Sequence, residues 1–288
     1  MLVELFRNFY CGFLCLFLSP PSVCSRSQEV CLLTERRTKQ PDGCKPFPVP
    51  FLSRPVSRCQ GMPVGRSTRC WVCRCRIDIP DVPAGTVYDV LHDSEYRREW
   101  DANVIDSHDI ARVAANANVG YYAWRCPKPL KNRDVVTLRA WQVEDGYHTI
   151  INFSVKHPKY PPRKDLVRAV ALLMGYLVRS TGPSSCSLTY LAQVDPKGSL
   201  PKWVVNKVSQ YLVPQMLKKL HKACVQYPAW KQQHGVNVKP WLYPEQNTLP
   251  MLALAELALQ HAASLENIDE SGLAEAKDEG SDHGGAEN

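Results

Sequence analysis

The part of the chain after residue 76 lacks the patterns on which most catalytic sites depend. It contains no pairing of a nucleophile with a general base, no glycine-rich loop suited to phosphate and no metal-ligand spacing. Only three of the twelve cysteines lie there, Cys126, Cys186 and Cys224, which is the usage expected of small core residues in a reducing compartment. We therefore expect a protein that binds a ligand rather than an enzyme.

A long hydrophobic run is also missing. The apolar stretch at residues 9–18, behind Arg7, is too short to span a bilayer, which needs about 20 apolar residues. It resembles the core of a signal peptide, so the secretory pathway is the alternative to the cytoplasm, where we expect the protein to act. Residues 41–65 contain six prolines without periodicity and are typical of a linker. We expect residues 1–70 to form an atypical, disordered extension.

Nine cysteines precede residue 76, and four of them lie close together. These are Cys59, Cys70, Cys73 and Cys75. A Cys-x-x-Cys spacing is half of a zinc ligand set, so zinc is one interpretation. However, every second residue from Trp71 to Ile79 is apolar, which is typical of a half-buried strand. We therefore predict a strand at this place and no metal site.

The net charge of +7 is unevenly distributed along the chain. Residues 1–70 carry 10 basic and 4 acidic side chains, whereas residues 262–288 carry 1 basic and 8 acidic ones. The middle of the chain is therefore strongly basic, which indicates an anionic partner such as a membrane or a nucleic acid. Basic clusters interleaved with aromatics are absent, so we predict a membrane surface and no nucleic acid.

Periodic patterns in the remainder predict an α+β architecture. Residues 83–93 have the apolar stripe of a short helix. Five alternating segments predict consecutive antiparallel strands: residues 120–126, 135–143, 147–155, 167–178 and 186–194. Residues 201–227 repeat apolar side chains at helical spacing, with a kink expected at Pro214. A curled sheet closed by such a helix forms an apolar cup.

Three stretches carry a resemblance to a known family. They are residues 88–101 with Tyr96-Arg97 and Trp100-Asp101, the run WRCPKPLKNRDVVTLRAW at 124–141, and GSLPKWVVNK at 198–207. The pattern resembles a START domain, the steroidogenic-acute-regulatory-related lipid-transfer fold, and within it the phosphatidylcholine-transfer-protein-like subgroup. The resemblance implies a helix-grip fold at residues 71–235, followed by an acidic and mostly disordered tail at residues 236–288.

The resemblance is incomplete at the N-terminal side. A complete START domain begins with a helix and two further strands, and residues 1–70 do not resemble them. We therefore expect a domain whose N-terminal helix and first strands are missing, with an unpaired strand edge and marginal stability. The family's polar head-group position falls near Leu173 or Met174, which are apolar in this sequence.

The resemblance also implies a head-group site. The family's phosphate-contacting arginine corresponds to Arg97 and its acidic partner to Asp101, and an arginine fork can grip two phosphate oxygens. Without the resemblance, the same residues are an ordinary surface ion pair at i,i+4. Trp100, Tyr122 and Trp124 are candidates for lining the cavity, with core packing as the alternative. Residues 132–134 are expected to cap a hairpin turn.

These features predict non-enzymatic binding and transfer of phospholipid of the phosphatidylcholine or phosphatidylethanolamine class. An apolar cup is needed because a bare diacyl lipid exposes methylenes at about 0.8 kcal/mol each. The bound phospholipid is cargo, no cofactor is expected, and the protein is expected to be a monomer that contacts membranes transiently. The alternative function is a non-transporting interaction or regulatory variant with an incomplete cavity.

The basic face of the long helix is the predicted membrane contact, with a merely solvated helix face as the alternative. Its residues are Lys202, Trp203, Lys207, Lys218, Lys219 and Lys222. In the tail, residues 252–263 are a candidate helix. Serines near acidic residues in the tail are candidate phosphorylation sites that would weaken membrane contact, namely Ser264, Ser271 and Ser281.

Overall fold

The computed structural model describes residues 62–63, 71–128, 130–197 and 212–259. Several predictions concern residues outside this part of the chain. They are the membrane contacts Lys202, Trp203 and Lys207, the phosphorylation sites Ser264, Ser271 and Ser281, and nearly all of the extension at residues 1–70.

The described residues form one curled, mostly antiparallel sheet of ten strands. In chain order these are β1 (Met62–Pro63), β2 (Trp71–Ile79), β3 (Val104–Ala114), β4 (Ala117–Trp124), β5 (Arg133–Glu144), β6 (Tyr147–Lys156), β7 (Val167–Arg168), β8 (Val170–Gly182), β9 (Ser185–Asp195) and β10 (Ala258–Leu259). Their spatial order is β1-β2-β9-β8-β6-β5-β4-β3, with β7 beside β5 and β10 beside β6. The predicted meander is confirmed, and the sheet is not closed into a barrel.

The two strands at the ends of the sheet, β2 and β3, differ in what pairs with their outer edges. At one end, the outer edge of β2 pairs within the described residues only with the two residues of β1. The unpaired edge expected there stays a prediction, because the other residues before Trp71 lie outside the described part. The alternation that predicted β2 is also visible, since Cys73, Cys75 and Ile79 are buried. At the other end lies β3, which pairs with β4.

A tight turn sets the register of the β5–β6 hairpin. Asp145 and Gly146 join β5 to β6 with φ angles of 47° and 75°. Positive φ at both central residues defines the turn type whose twist matches that of the flanking strands. Glu144 therefore lies opposite Tyr147, and the apolar residues of both strands share a face.

Strand β3 is not apparent from the sequence. Its residues Ser107 and Asp109 lie opposite Tyr122 and Gly120 of β4, on the face that the helices cover. Because this face of β3 is polar, the apolar alternation that reveals a half-buried strand is absent.

Within the described residues, three helices pack on the inner face of the sheet: α1 (Ala84–His92), α2 (Ser94–Trp100) and α3 (Val213–Gln233). Helix α1 confirms the helix predicted at residues 83–93. Asp93 separates α1 from α2 and caps α2, since its Oδ1 accepts a hydrogen bond from the Tyr96 N–H at 3.0 Å. One cluster of buried side chains, which includes Val87, Leu217 and Leu220, joins the helices to the sheet.

Helix α3 confirms the described part of the helix predicted at residues 201–227 and continues beyond it to Gln233. Pro214 lies in its first turn, where a missing N–H donor has little effect. Residues 201–211 of the predicted helix, which the expected kink would involve, lie outside the described part.

Residues 237–259 pack against the domain as an extended segment that we call the C-terminal strap. It is anchored on α1, where the Asp89 carboxylate accepts hydrogen bonds from Lys239 Nζ at 2.6 Å and from the Trp241 indole N–H at 2.8 Å. The strap then pairs with the edge of β3, because the Arg112 N–H donates to Pro250 and the Leu252 N–H donates to Arg112, both at 2.9 Å. The strap thereby covers an edge that would otherwise be open to other chains.

The helix predicted at residues 252–263 is not found in the part of this range that is described. Its described residues form a 3-10 turn at Leu254–Glu256 and then strand β10, which pairs with the end of β6. Leu252, Leu254 and Leu257 pack against buried side chains on the outer face of the sheet. This packing accounts for a leucine-rich pattern that also suits a helix.

Candidate lipid head-group site

Arg97 is held on the inner face of the sheet by two aromatic rings. Its guanidinium carbon lies 5.3 Å from the Trp100 ring centre and 5.1 Å from that of Tyr122, within the range of cation–π attraction. The side chain of Arg97 is only 18% exposed. Helix α2 therefore presents Arg97 to the interior, which is not expected of an ordinary surface ion pair.

Asp101 orients this arginine. It follows the last residue of α2, and its Oδ2 lies 3.5 Å from Arg97 Nη2. The same oxygen accepts a hydrogen bond from the Tyr122 hydroxyl at 3.3 Å, and Oδ1 accepts one from the Asn103 N–H at 3.2 Å. The contact with Arg97 is long for a charge-assisted hydrogen bond, so Asp101 leaves most of the guanidinium's donors available to a ligand.

The protonation states at this site are stable at neutral pH. Burial lowers the pKa of Arg97, but Tyr122, Tyr176 and Asp101 outweigh this effect and raise the pKa above its ordinary value. Burial raises the pKa of Tyr122 to about 12, in spite of the opposing effect of Arg97. The site thus combines a permanent cation with a neutral hydroxyl.

Two donors of the site have no partner. Arg97 Nε and the Trp100 indole nitrogen are buried without a hydrogen-bond acceptor among the described residues. A buried donor without an acceptor costs about 1–3 kcal/mol, and more when it is charged. The arrangement therefore favours a ligand that brings anionic acceptor oxygens.

The predicted cavity residues lie together with Arg97. Tyr122 and Trp124 are two positions apart on β4 and stack with ring centres 5.7 Å apart. Both rings and Met174 pack against one buried cluster that includes Val135 and Ala192, whereas Leu173 belongs to the cluster on the outer face. Of the two apolar positions considered above, Met174 is therefore the one beside these aromatic rings.

Two further charged side chains on the same face, Arg139 and Asp109, carry no local sequence signal. Arg139 lies on β5, donates to the Leu91 carbonyl at 2.6 Å and keeps a buried Nε without an acceptor in the described part. Burial lowers the pKa of Arg139 and raises that of Asp109, which Arg139 partly offsets. Asp109 is nevertheless exposed, so the inner face of β3 is polar at this position. This polar lining explains why the alternation of β3 is broken.

Residues 132–134 have a structural role, as their predicted capping function implies. Asn132 Oδ1 accepts a hydrogen bond from the Cys126 N–H at 3.1 Å and so closes the loop between β4 and β5. Asp134 forms a buried two-pronged pair with Arg168, with both N–O distances at 2.9 Å. These groups are directed at each other rather than at a ligand.

The remaining predictions concern metal and membrane. Of the four clustered cysteines, Cys73 and Cys75 lie in the described part, where both are buried. No group of three potential ligand side chains there is placed to hold a metal ion. Among the described helices, none is long and apolar enough to cross a bilayer. Lys218, Lys219 and Lys222 are exposed on α3.

A curled sheet gripped by a terminal helix, with a cation and unsatisfied donors on its inner face, defines a helix-grip lipid-binding domain. Comparison with known proteins agrees: the START domain family model matches residues 72–231. The chain belongs to the START domain family.

Individual relatives support the same assignment. Human START domain-containing protein 10 is 66% identical over 206 residues, which cover 72% of this chain and 71% of the relative. The phosphatidylcholine transfer protein of Bos taurus is 29% identical over 153 residues, or 52% of this chain and 69% of the relative. The crystal structure of human STARD10 superposes with a TM-score of 0.66 at 59% identity, covering 72% of this chain and 89% of that one. These relatives support lipid binding and transfer.

Proposed function

We propose that this domain binds one phospholipid of the phosphatidylcholine or phosphatidylethanolamine class and carries it between membranes. The phosphate binds Arg97, and Asp101 orients the guanidinium. The observation that carries the proposal is the largely buried Arg97, which lies against the rings of Trp100 and Tyr122 and whose Nε has no acceptor among the described residues. A phosphate supplies acceptors for two parallel N–H donors of an arginine fork.

The lipid class is supported by similarity. The name of the bovine relative states that it transfers phosphatidylcholine, and the described apolar cluster beside Tyr122 and Trp124 suits the start of the acyl chains. Burial of the chains removes methylenes from water at about 0.8 kcal/mol each. The aqueous transfer step becomes feasible only if the cup encloses most of this surface.

The experiment measures lipid in the purified full-length chain by native mass spectrometry and organic extraction. We expect about one phospholipid per chain and a loss of more than about ten-fold in Arg97→Met, because charge-assisted hydrogen bonds contribute about 1.5–3 kcal/mol each. Arg98→Met is the matched control, since Arg98 lies on the same helix but is 57% exposed and pairs with Asp106. Full retention of lipid by Arg97→Met contradicts the assignment.

A second candidate function is a non-transporting interaction or regulatory protein. It is favoured by β2, whose outer edge has only the two-residue partner β1 within the described residues. A folded chain that contains no lipid in the same extraction supports this candidate instead.

The setting of the proposed activity follows from the sequence. The protein acts as a monomer in the cytoplasm without a cofactor, and the basic face of α3 contacts anionic membranes. Phosphorylation of Ser264, Ser271 or Ser281 adds negative charge and weakens that contact. Phosphomimetic variants that bind vesicles as the wild type does exclude this regulation.

A further inference from the structure

Two loops at one end of the sheet are rich in basic side chains. They are residues 125–132, between β4 and β5, and residues 156–165, which begin at the last residue of β6. We call these two loops the basic end. Together they carry seven basic side chains and one acidic side chain, all exposed: Arg125, Lys128, Lys131, Lys156, Lys159, Arg163 and Lys164, with Asp165.

The sheet topology brings the two loops to the same end. Strand β4 ends where β5 begins, since Trp124 pairs with Arg133. Strand β7, which follows the second loop, lies beside the start of β5, where Val167 pairs with Arg133. At the opposite end of the sheet, the turn between β5 and β6 exposes Glu144 and Asp145 instead. The basic end is therefore a property of the fold and not only of one run of sequence.

The second loop of the basic end is held in place by its own packing. The Tyr160 ring lies 5.9 Å from the His108 ring and 5.8 Å from the Tyr121 ring, between ring centres. Arg168 donates hydrogen bonds to the carbonyls of Tyr160 and Pro161, at 3.1 and 3.3 Å. Because these contacts form within the folded chain, the lysines of this loop belong to a preformed surface that a partner need not organise.

The positive charge of the basic end is not neutralised within its two loops. Asp165 pairs with Arg163 at 2.7 Å, which leaves six basic side chains and no further acid in these loops. Glu256 of the strap is an exposed acid near His157, whose pKa it raises against the larger lowering effect of burial. The excess of positive charge suits an anionic partner.

The chain itself contains an anionic segment that begins close to this surface. The last described residues of the strap, Ala258 and Leu259, pair with the end of β6, where the second loop starts. Residues 260–288 lie outside the described part, and from Glu266 onward they carry eight acidic side chains and one basic side chain. Six residues separate Leu259 from Glu266, and they span up to about 20 Å when extended. The first acids are therefore within reach of the loop that begins at Lys156.

We propose that the acidic segment at residues 266–288 docks on the basic end of its own chain. A tethered segment has an effective concentration on the order of millimolar, so several individually weak ion pairs are sufficient for the contact. The docked segment screens the basic end and competes with every other anionic partner of this surface. The proposal goes beyond the proposed function and does not depend on it, because it involves neither Arg97 nor α3.

The test joins neighbouring carboxylates and amines in the purified full-length chain with a carbodiimide, which forms an amide bond without spacer atoms. Monomers are isolated, and the linked residues are identified by peptide mass spectrometry. Acids of residues 266–288 should link about three-fold more often to each basic-end lysine than to each of the exposed lysines of α3, Lys218, Lys219 and Lys222. This excess should disappear at about 1 M salt, where the Debye length is only about 3 Å.

Charge reversal provides a matched pair of variants. Lys159→Glu/Lys164→Glu should reduce links to the remaining lysines of the basic end about three-fold, because the acidic segment then meets two added negative charges. Lys218→Glu/Lys219→Glu changes the net charge equally and should leave those links unchanged. All four side chains are exposed, so both variants preserve the buried contacts of the domain.

Three outcomes overturn the proposal. Equal linking to the lysines of α3 means that diffuse attraction, and not the basic end, holds the acidic segment. Links found only between isotope-labelled and unlabelled chains mean that the acidic segment of a second copy occupies the surface. A lack of links to the basic end at low salt means that a separate anionic partner, and not this segment, fits it.

Discussion

Arg168 supports the sheet through a buried charge pair, and its removal should strongly destabilise the domain. The side chains of Asp134 and Arg168 are 0% and 4% exposed, and the Tyr121 hydroxyl is a further partner of Asp134 at 3.1 Å. Arg168 also donates to the carbonyl of Tyr160 at 3.1 Å, which holds the loop before β7. Arg168→Leu leaves the Asp134 charge buried without a counter-charge, a change that costs about 3–5 kcal/mol.

The magnitude is large enough to measure by thermal unfolding. For a domain of this size about 2–4 °C of Tm corresponds to each kcal/mol, so we expect a fall on the order of 6–20 °C. The double variant Asp134→Leu/Arg168→Leu should regain most of the Tm that the single variant loses, because an apolar pair of similar volume can replace a buried ion pair. Arg163→Leu is the matched control, since the Arg163–Asp165 pair is exposed and should leave Tm nearly unchanged. A single variant as stable as this control, or a double variant no better than the single one, refutes the reasoning.

Three further predictions concern buried charge and the site. Burial, with a smaller effect of Arg139, lowers the pKa of His92, so the unfolded chain binds a proton below about pH 6.5 that the folded chain refuses. The Tm should therefore fall from pH 7 toward pH 5, and in His92→Phe it should depend less on pH. A pH dependence of Tm in His92→Phe that equals that of the wild type contradicts this role of His92. Asp93→Ala removes the cap of α2 and the counter-charge of buried Lys231 at 2.8 Å, which should cost about 3–5 kcal/mol in urea unfolding, and Lys231→Met should largely restore it. Arg97→Lys keeps the charge but not the guanidinium fork, so its phosphorus content per purified chain should lie between that of the wild type and that of Arg97→Met. A phosphorus content equal to that of the wild type contradicts the binding of two phosphate oxygens by Arg97.

Local patterns in the sequence were sufficient for much of the fold. Helix α1 and strands β5, β6, β8 and β9 follow from apolar periodicity, because each has one face against the core. Strand β3 could not be found this way, since its inner face carries Asp109 toward Arg139 and is polar. The C-terminal strap was not predicted because its leucines also suit a helix. Their packing on the outer face of the sheet is a long-range contact that local periodicity does not show.

The candidate site also combines features that are visible in the sequence with features that depend on long-range contacts. The spacing of Arg97 and Asp101 is visible in the sequence, and the family resemblance assigns them to a head group. Periodicity does not show that α2 is a separate short helix capped by Asp93, or that β4 brings the Tyr122 ring onto Arg97 and its hydroxyl onto Asp101. Burial of Arg97 is what separates a head-group site from a surface ion pair, and burial depends on residues distant in sequence.

Apolar periodicity alone predicts the antiparallel meander, helix α1 and the described part of α3, because each of these patterns repeats within a few residues. The contacts between distant residues depend on the tertiary structure: Tyr122 of β4 contacts Arg97 of α2, and the strap covers the edge of β3. These relations join residues from opposite ends of the domain. No local periodicity encodes them, because the contacts that stabilise them form only when the helices close on the sheet.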